Sequence, residues 1–457
     1  MQGLNAKKLT AAIHYIDSWI AINMVNSRFP GLQVAILQGD KIVYSKAFGY
    51  ADVEKKTKMT TKSVFKIASH SKPFTATAIM QLYEAGKLNL DDKVSNHLDW
   101  FVSKNDERVA QVTIRQLLNH TAGLIRDGED TDYWNLLRDF PDTQELKDYI
   151  SSAKLIYNGD EQFKYSNFGY GYLGQVIEAV TGTSYAQFVH EHIIKKLGLN
   201  TTFVDSDSDA ARKQLVTGYT SEALGMDSTP FNHAEARALA PATGFCSTAE
   251  DVCRFFEAHF HGNPHLLSDA TKRYMHHGFW APSEGETYGF GIESIRRNGW
   301  NLRGHGGGFP GFHTATLFDP EKQFAVAVFC NADGSNPKWV AQAISSIVDR
   351  FQNAPETDKT LKKFEGRFYD PRRLVVDIIT IGTTLHTVYS LRWSDFSYTE
   401  TLSVKDASTL VIKKAGSFSS AGEEVQYTFS ADGEVASIRH GGATLLPEAE
   451  AKRRGWI

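Results

Sequence analysis

Apolar positions near the start of the chain recur at helical spacing: Leu9, Ala12, Ile13, Ile16, Ile20 and Met24 predict an amphipathic helix with one face on a core. From Gly31 the pattern turns to that of strands. Gly31–Gln38 and Lys41–Gly49 are β-rich runs joined at Gly39-Asp40, a pair suited to a hairpin turn. Short β-rich runs return at Tyr288–Ile295, Thr314–Phe318 and Phe324–Cys330, followed by a helical stretch over Lys338–Phe351. Between them, from about Ser69 to Phe260, helical periodicity dominates, as in Ala76–Glu84, Thr113–Asn119, Tyr170–Val180 and Ala249–His259. Strands at both ends and helices between describe an α+β domain, an antiparallel sheet flanked by helices with a large helical insertion.

The segment Asn353–Lys359 is polar, contains Pro355 and suits a linker. Beyond it the pattern is almost wholly strand-like, with Leu374–Thr380, Thr409–Lys413, Glu424–Phe429 and Val435–Arg439 broken by Gly, Ser and Asp. Residues 1–355 are therefore read as a large domain and 361–457 as a small C-terminal β domain. A chain of 457 residues exceeds the size at which one core stops growing, which agrees with two domains.

Composition narrows the partners. The formal net charge is only -4, so no strong field for nucleic acid or an acidic membrane is expected. Lys7, Lys8, His14 and Asp17 interrupt the first apolar positions, so no signal peptide is read there, and no stretch is long and apolar enough to span a bilayer. Cys246, Cys253 and Cys330 form an odd set among apolar neighbours, which reads as buried thiols in a reducing compartment. A cytoplasmic location is expected, although a chain starting at a mature N-terminus would hide a removed leader.

Three short motifs carry chemistry. Ser-x-x-Lys places an amine one helical turn from a hydroxyl, where it can take the proton as serine attacks an acyl carbon. It occurs at Ser63/Lys66, Ser69/Lys72, Ser151/Lys154 and Ser335/Lys338. Only Ser69 is followed by Pro73 and the apolar run Ala76, Ile79, Met80 and Leu82, the pattern of a buried helix with Ser69 at its N-terminal end. Tyr-x-Asn, in which a phenol relays a proton and an amide orients the lysine, occurs at Tyr133-Trp134-Asn135 and Tyr165-Ser166-Asn167. The first reads as local packing, whereas the second lies in the turn opening a helix. A strand edge with a basic residue and small followers, able to pair with a substrate backbone, fits His305-Gly306-Gly307-Gly308 and His440-Gly441-Gly442. Only the former precedes strands of the main sheet.

In this order the three motifs resemble the class C β-lactamase, D-aminopeptidase and esterase branch of the penicillin-recognising serine enzymes. Supporting stretches are Phe65–Ser69, Gln116–Leu124, Tyr165–Tyr170 and Pro241–Thr248, and the likeness runs from about Ala11 to Ile347. The resemblance implies a β-lactamase-like fold and, at 361–457, a barrel-like, lipocalin-like domain of the kind some relatives append. It implies Ser69 as acylated nucleophile, Lys72 as general base and Tyr165 as acid/base toward the leaving group, with the working base assigned to Lys72 and Tyr165 jointly. Asn167, His305, Gly307 and Gly308 would bind substrate, and the N–H groups of Ser69 and Gly308 would form the oxyanion hole. Many relatives have lysine where His305 stands, which weakens a carboxylate-binding reading. The expected substrate is a small amide, a peptide containing a D-amino acid, or an ester, with no cofactor or metal. A sensor acylated without turnover and an acyltransferase with the same site are the alternatives.

Other signals read as structural. Gly169–Gly174 matches a dinucleotide fingerprint but follows a polar segment, so close helix packing is expected. His259, His261, His265, His276 and His277 lack a recognised ligand spacing and are read as solvated or hydrogen-bonded loop residues, and His190-Glu191-His192 lacks zinc-helix spacing.

Overall fold

In the computed structural model, the described residues are 3–457 apart from 28, 207, 223–225, 298, 373, 390–398 and 416–419. The chain divides into two compact units, Phe29–Ala341 and Leu4–Arg28 with Gln342–Ile457.

The first unit is built on a nine-stranded antiparallel sheet. Its strands are β1 (Gly31–Gln38), β2 (Lys41–Asp52), β3 (Thr57–Lys58), β6 (Trp280–Ser283), β7 (Glu286–Tyr288), β8 (Glu293–Arg297), β9 (Trp300–Phe309), β10 (Phe312–Asp319) and β11 (Phe324–Cys330), while β4 (Phe65–Lys66) and β5 (Cys246–Ser247) pair separately. The order β3-β2-β1-β11-β10-β9-β8-β7-β6 brings the first and last segments of the unit together through β1 and β11, with Val34 opposite Val328. These two strands are buried almost throughout, which explains their continuous apolar runs. The helix Ala249–Glu257 packs on both. The single run read over Tyr288–Ile295 is instead the end of β7, a turn and β8. Gly291 at φ +68 makes the turn, and a Cβ at Gly289 would lie 2.3 Å from Met275 O.

Helices fill the insertion: α2 (Ser71–Glu84), α3 (Ile114–Leu118), α4 (Thr143–Ser152) and α5 (Asn167–Thr181). The glycines of the Gly169–Gly174 run serve packing. A Cβ at Gly171 would touch Leu146 at 3.1 Å, and one at Gly174 would meet Pro241 at 2.3 Å.

In the second unit, α1 (Ala6–Asn26) buries Leu9, Ala12, Ile16 and Ile20. A closed barrel of eight antiparallel strands runs from Gly366–Tyr369 to Ala443–Pro447. Alternate residues such as Val376, Ile378, Leu385, Leu410, Ile412 and Val425 fill its interior. All three cysteines are free and buried. Among the described residues no helix is long and apolar enough to cross a membrane.

Candidate active site

The Ser69 turn is fixed from both sides. Strand β4 pairs with β5, and Ile67 N–H donates to Phe245 O at 2.8 Å. The chain then turns through Ala68–His70 into α2. Ala68 has φ +49, a left-handed conformation that costs a residue with a side chain roughly 1–2 kcal/mol. Ser71 holds it there: its Oγ donates to Ala68 O at 2.6 Å and accepts Phe245 N–H at 3.0 Å. Ser69 is left half-exposed at the helix start, where N–H groups lack intrahelical acceptors.

Lys72, one turn on, is fully buried. Its Nζ donates to Asn167 Oδ1 at 2.7 Å and to Ala242 O at 2.9 Å, and it lies 3.2 Å from Ser69 Oγ. Burial, with the charge of Arg126, outweighs the attraction of Asp127 and holds the amine well below its ordinary pKa. A neutral amine has two N–H bonds and one lone pair. In that neutral form Asn167 and Ala242 take both bonds, and the lone pair is left for the Ser69 hydroxyl. Asp127 sets this up: its Oδ1 accepts the Asn167 Nδ2–H at 2.6 Å, turning the amide oxygen toward Lys72, while Oδ2 pairs with Arg126 at 3.1 Å.

Tyr165 closes the other side. Its ring lies 4.7 Å from Lys72 Nζ and 4.2 Å, between centroids, from the ring of His120. Burial pushes its phenol above the ordinary value against the pull of Ser69 and Arg126, so it is protonated at neutral pH. The turn carrying Tyr165 is clamped by His120, itself at φ +62. His120 O accepts Lys164 N–H at 2.7 Å and Nδ1 accepts Ser166 N–H at 3.1 Å, one bond on each side of Tyr165.

Strand β9 supplies the third wall. β8 pairs with β9 only from Arg297↔Trp300 to Glu293↔Gly304, which leaves His305–Phe309 without a neighbour on that side. A Cβ at Gly307 would fall 2.2 Å from Ile67 O, so only glycine lets β9 approach the Ser69 turn this closely. Gly306 N–H donates to Glu293, and the alternation of an antiparallel pair points Gly308 N–H to the same unpaired side. Gly308 is exposed, beside a cavity of about 440 Å³ walled by Trp134, Asn135, Phe231 and His313. His305 is buried, and both ring nitrogens are engaged, Nδ1 by Gly306 O at 2.6 Å and Nε2 by the Tyr288 hydroxyl at 3.1 Å. Burial brings its pKa down to about 4, so the ring is neutral. Its side chain supports the strand and offers no charge for a substrate carboxylate.

The structure thus brings Ser69, Lys72, Tyr165 and Asn167 to one locus, with β9 alongside. The other matches are structural: Lys66 pairs with Asp205 at 2.9 Å, Lys338 with Glu286 and Glu293, and Tyr133 donates to Asp127 O at 2.6 Å. His440 pairs with Glu400 in the barrel. Trp134 and Asn135, read as packing, line the cavity beside Gly308. Sequence reasoning missed Asp127, Tyr288 and Glu293, which carry no local signal. It quoted His120 within Gln116–Leu124 without a role, although a histidine before Thr-Ala-Gly was the available cue.

A β-lactamase family model matches residues 16–346. Protein flp of Staphylococcus aureus (strain MW2) is 28% identical over 389 residues, covering 82% of this chain and 73% of flp. Among solved structures, the octameric penicillin-binding protein homologue from Pyrococcus abyssi superposes with a TM-score of 0.65 at 23% identity, covering 95% of this chain and 99% of that one. The D-stereospecific amidohydrolase from Streptomyces sp. gives 0.62 at 22% identity over 74% of this chain and 97% of its own. The family match spans most of the chain and includes every residue of the Ser69 locus: this protein belongs to the β-lactamase family.

Proposed function

We propose that the protein is a serine hydrolase that acts through an acyl-enzyme on Ser69, with small amides, D-amino-acid-containing peptides or esters as substrates. The observation that carries this reading is the placement of Lys72, whose buried Nζ is held by Asn167 Oδ1 and Ala242 O and lies 3.2 Å from Ser69 Oγ. In the first step Lys72 takes the hydroxyl proton while Oγ bonds to the acyl carbon, and the Ser69 and Gly308 N–H groups hold the oxyanion. Tyr165, protonated by virtue of its raised pKa, gives its proton to the leaving amine or alkoxide as the carbon–heteroatom bond breaks. Lys72 then passes the serine proton to the Tyr165 phenolate, which restores both groups; water attacks the ester with Lys72 taking its proton, and the acid leaves as Lys72 gives that proton to Oγ. The neutral, internally bonded His305 disfavours substrates that need a cation for a carboxylate, as a penicillin would. The structural likeness to a D-stereospecific amidohydrolase supports the amide class.

The test is a fluorophosphonate probe and a panel of small acyl substrates, read by intact mass and product release. Labelling and sustained turnover that both vanish in Ser69→Ala are expected. Labelling without turnover would favour an acylated sensor, and labelling that survives Ser69→Ala would remove the site assignment.

A further inference from the structure

Four buried polar atoms belong to residues that line one cavity, which the acyl-transfer reading leaves unused. The cavity, about 420 Å³, is bounded by β8, β9 and residues in and after the helix Asp269–Met275, and its size suits a small molecule. On its walls Arg303 Nε, Ser294 Oγ, His276 Nδ1 and His261 Nε2 are shielded from solvent, and none has a hydrogen-bond partner among the described residues. A buried polar group left unpaired costs about 1–3 kcal/mol, so four on one surface point to a partner from outside the chain. His276 and His261 are 4% and 6% exposed, which makes them inner walls; of the expected solvated or hydrogen-bonded character, His276 has the hydrogen bond, to His259.

The charge on the walls selects the partner. Arg303 lies inside, Arg273 and Arg296 stand exposed at the rim, and Glu321 is the lining carboxylate. Among the described residues no group of three His, Cys, Asp or Glu side chains could hold a metal ion. A chain of hydrogen bonds fixes the histidine protons. Thr77 Oγ1 donates to Pro73 O at 2.8 Å and so accepts from His259 Nε2–H at 3.2 Å. His259 Nδ1 is then an acceptor for His276 Nε2–H at 3.2 Å, which leaves neutral His276 with a bare Nδ1 lone pair. The groups acting on His276 are His259 just past the helix Ala249–Glu257, His261 in the following loop, Lys272 on its own helix and Arg303 on β9, while the carboxylates Asp319 and Glu321 face Arg303. Burial together with these groups keeps the ring neutral in the free protein.

We propose that this cavity is a binding site for a phosphate group, free or on a small organic ligand. Arg303 Nε–H and Ser294 Oγ–H donate to its oxygens, and the acidic proton of a hydrogen phosphate closes the contact at His276 Nδ1. An oxyanion without a proton requires His276 to take one from solvent instead, so its binding weakens as pH rises.

Calorimetric titration of the full chain with inorganic phosphate, glycerol 2-phosphate and sulfate, against chloride at matched ionic strength, tests this. One saturable phosphate site is expected, weakened at least ~10-fold by Arg303→Gln and about 3-fold by Arg273→Ala, and unchanged by Lys72→Ala. Sulfate should bind about tenfold more tightly near pH 6 than near pH 8. Tighter binding of the ester than of inorganic phosphate identifies a ligand-borne group, and the reverse identifies the free ion. No saturable binding above the chloride control, or equal binding by wild type and Arg303→Gln, overturns the proposal. If Arg303→Gln does not fold, unchanged affinity in the exposed Arg273→Ala variant overturns it.

Discussion

The first unit holds two buried basic centres that treat their polar atoms in opposite ways. Around Lys72 the groups have partners within the protein: Asn167 and Ala242 take the amine's N–H bonds, Asp127 takes the amide, and Arg126 pairs with Asp127. Around Arg303 and His276 four buried atoms have none among the described residues. Preorganised dipoles need no rearrangement when charge develops, which suits chemistry. Unpaired donors in a cavity hold unspent desolvation, which suits binding. The difference separates a site that is complete before substrate arrives from one that a ligand completes.

The largest expected effect comes from removing the amine. Lys72→Ala should lower the rate of Ser69 acylation by about 10³-fold or more, measured by rapid-mixing mass spectrometry, because the other group at the hydroxyl, Tyr165, is held protonated by its raised pKa. The pH profile follows from the sign of the lysine shift. Activity requires the neutral amine, so it is present above the pKa of Lys72 and is lost as pH falls through it. Since that pKa lies well below the ordinary 10.5, activity should persist at neutral pH. An acid limb close to the ordinary lysine value would break the contrast by making Lys72 an unperturbed ion.

Asp127→Ala should have an intermediate effect, about 10- to 100-fold on kcat, since Asn167 is no longer held with its oxygen on Lys72. Loss of the Asp127 charge removes the largest influence that raises the lysine pKa, so the acid limb of the profile should move to lower pH. A fall in kcat with an unmoved limb would reduce Asp127 to an orienting role only.

What was legible in the sequence follows from range. Ser69 and Lys72 sit one turn apart, and Tyr165 and Asn167 share one turn, so chain-local spacing carries their geometry. The strands β1, β10 and β11 declared themselves because they are buried on both faces, and β2 because it is long and follows β1 through a Gly-Asp turn. In the barrel, Thr384–Tyr389 and Thr399–Val404 span only six positions each and bury polar Thr387 and Glu400 while Val404 is exposed, so no apolar alternation separates them from loop. The second layer of the site is contact at a distance: Asp127 reaches Asn167 across 40 positions, His120 reaches Ser166 across 46 and Tyr288 reaches His305 from another strand. Spacing places His305 on the strand edge but does not say which neighbours engage its ring, here Gly306 O and the Tyr288 hydroxyl. His265 and His277 are exposed as expected, whereas the burial of His259, His261 and His276 is a tertiary property that spacing does not carry.

A pair of serines gives the smallest effect and the sharpest form of the contrast. Ser71 and Ser294 each present a buried hydroxyl, one to the Lys72 centre and the other to the Arg303 cavity. Ser71→Ala deletes a donor to Ala68 O and the acceptor of Phe245 N–H, leaving both backbone groups unpaired beside a left-handed residue, and should cost about 2–3 kcal/mol in chemical denaturation. Ser294→Ala deletes no hydrogen bond within the protein and removes a desolvated hydroxyl, so stability without added phosphate should be unchanged or higher by up to ~1 kcal/mol. With phosphate present the order should reverse for Ser294, because the wild type then gains a ligand contact that the variant lacks. Equal losses for the two serines would mean that Ser294 is already paired in the free protein and that the second cavity is as complete as the first.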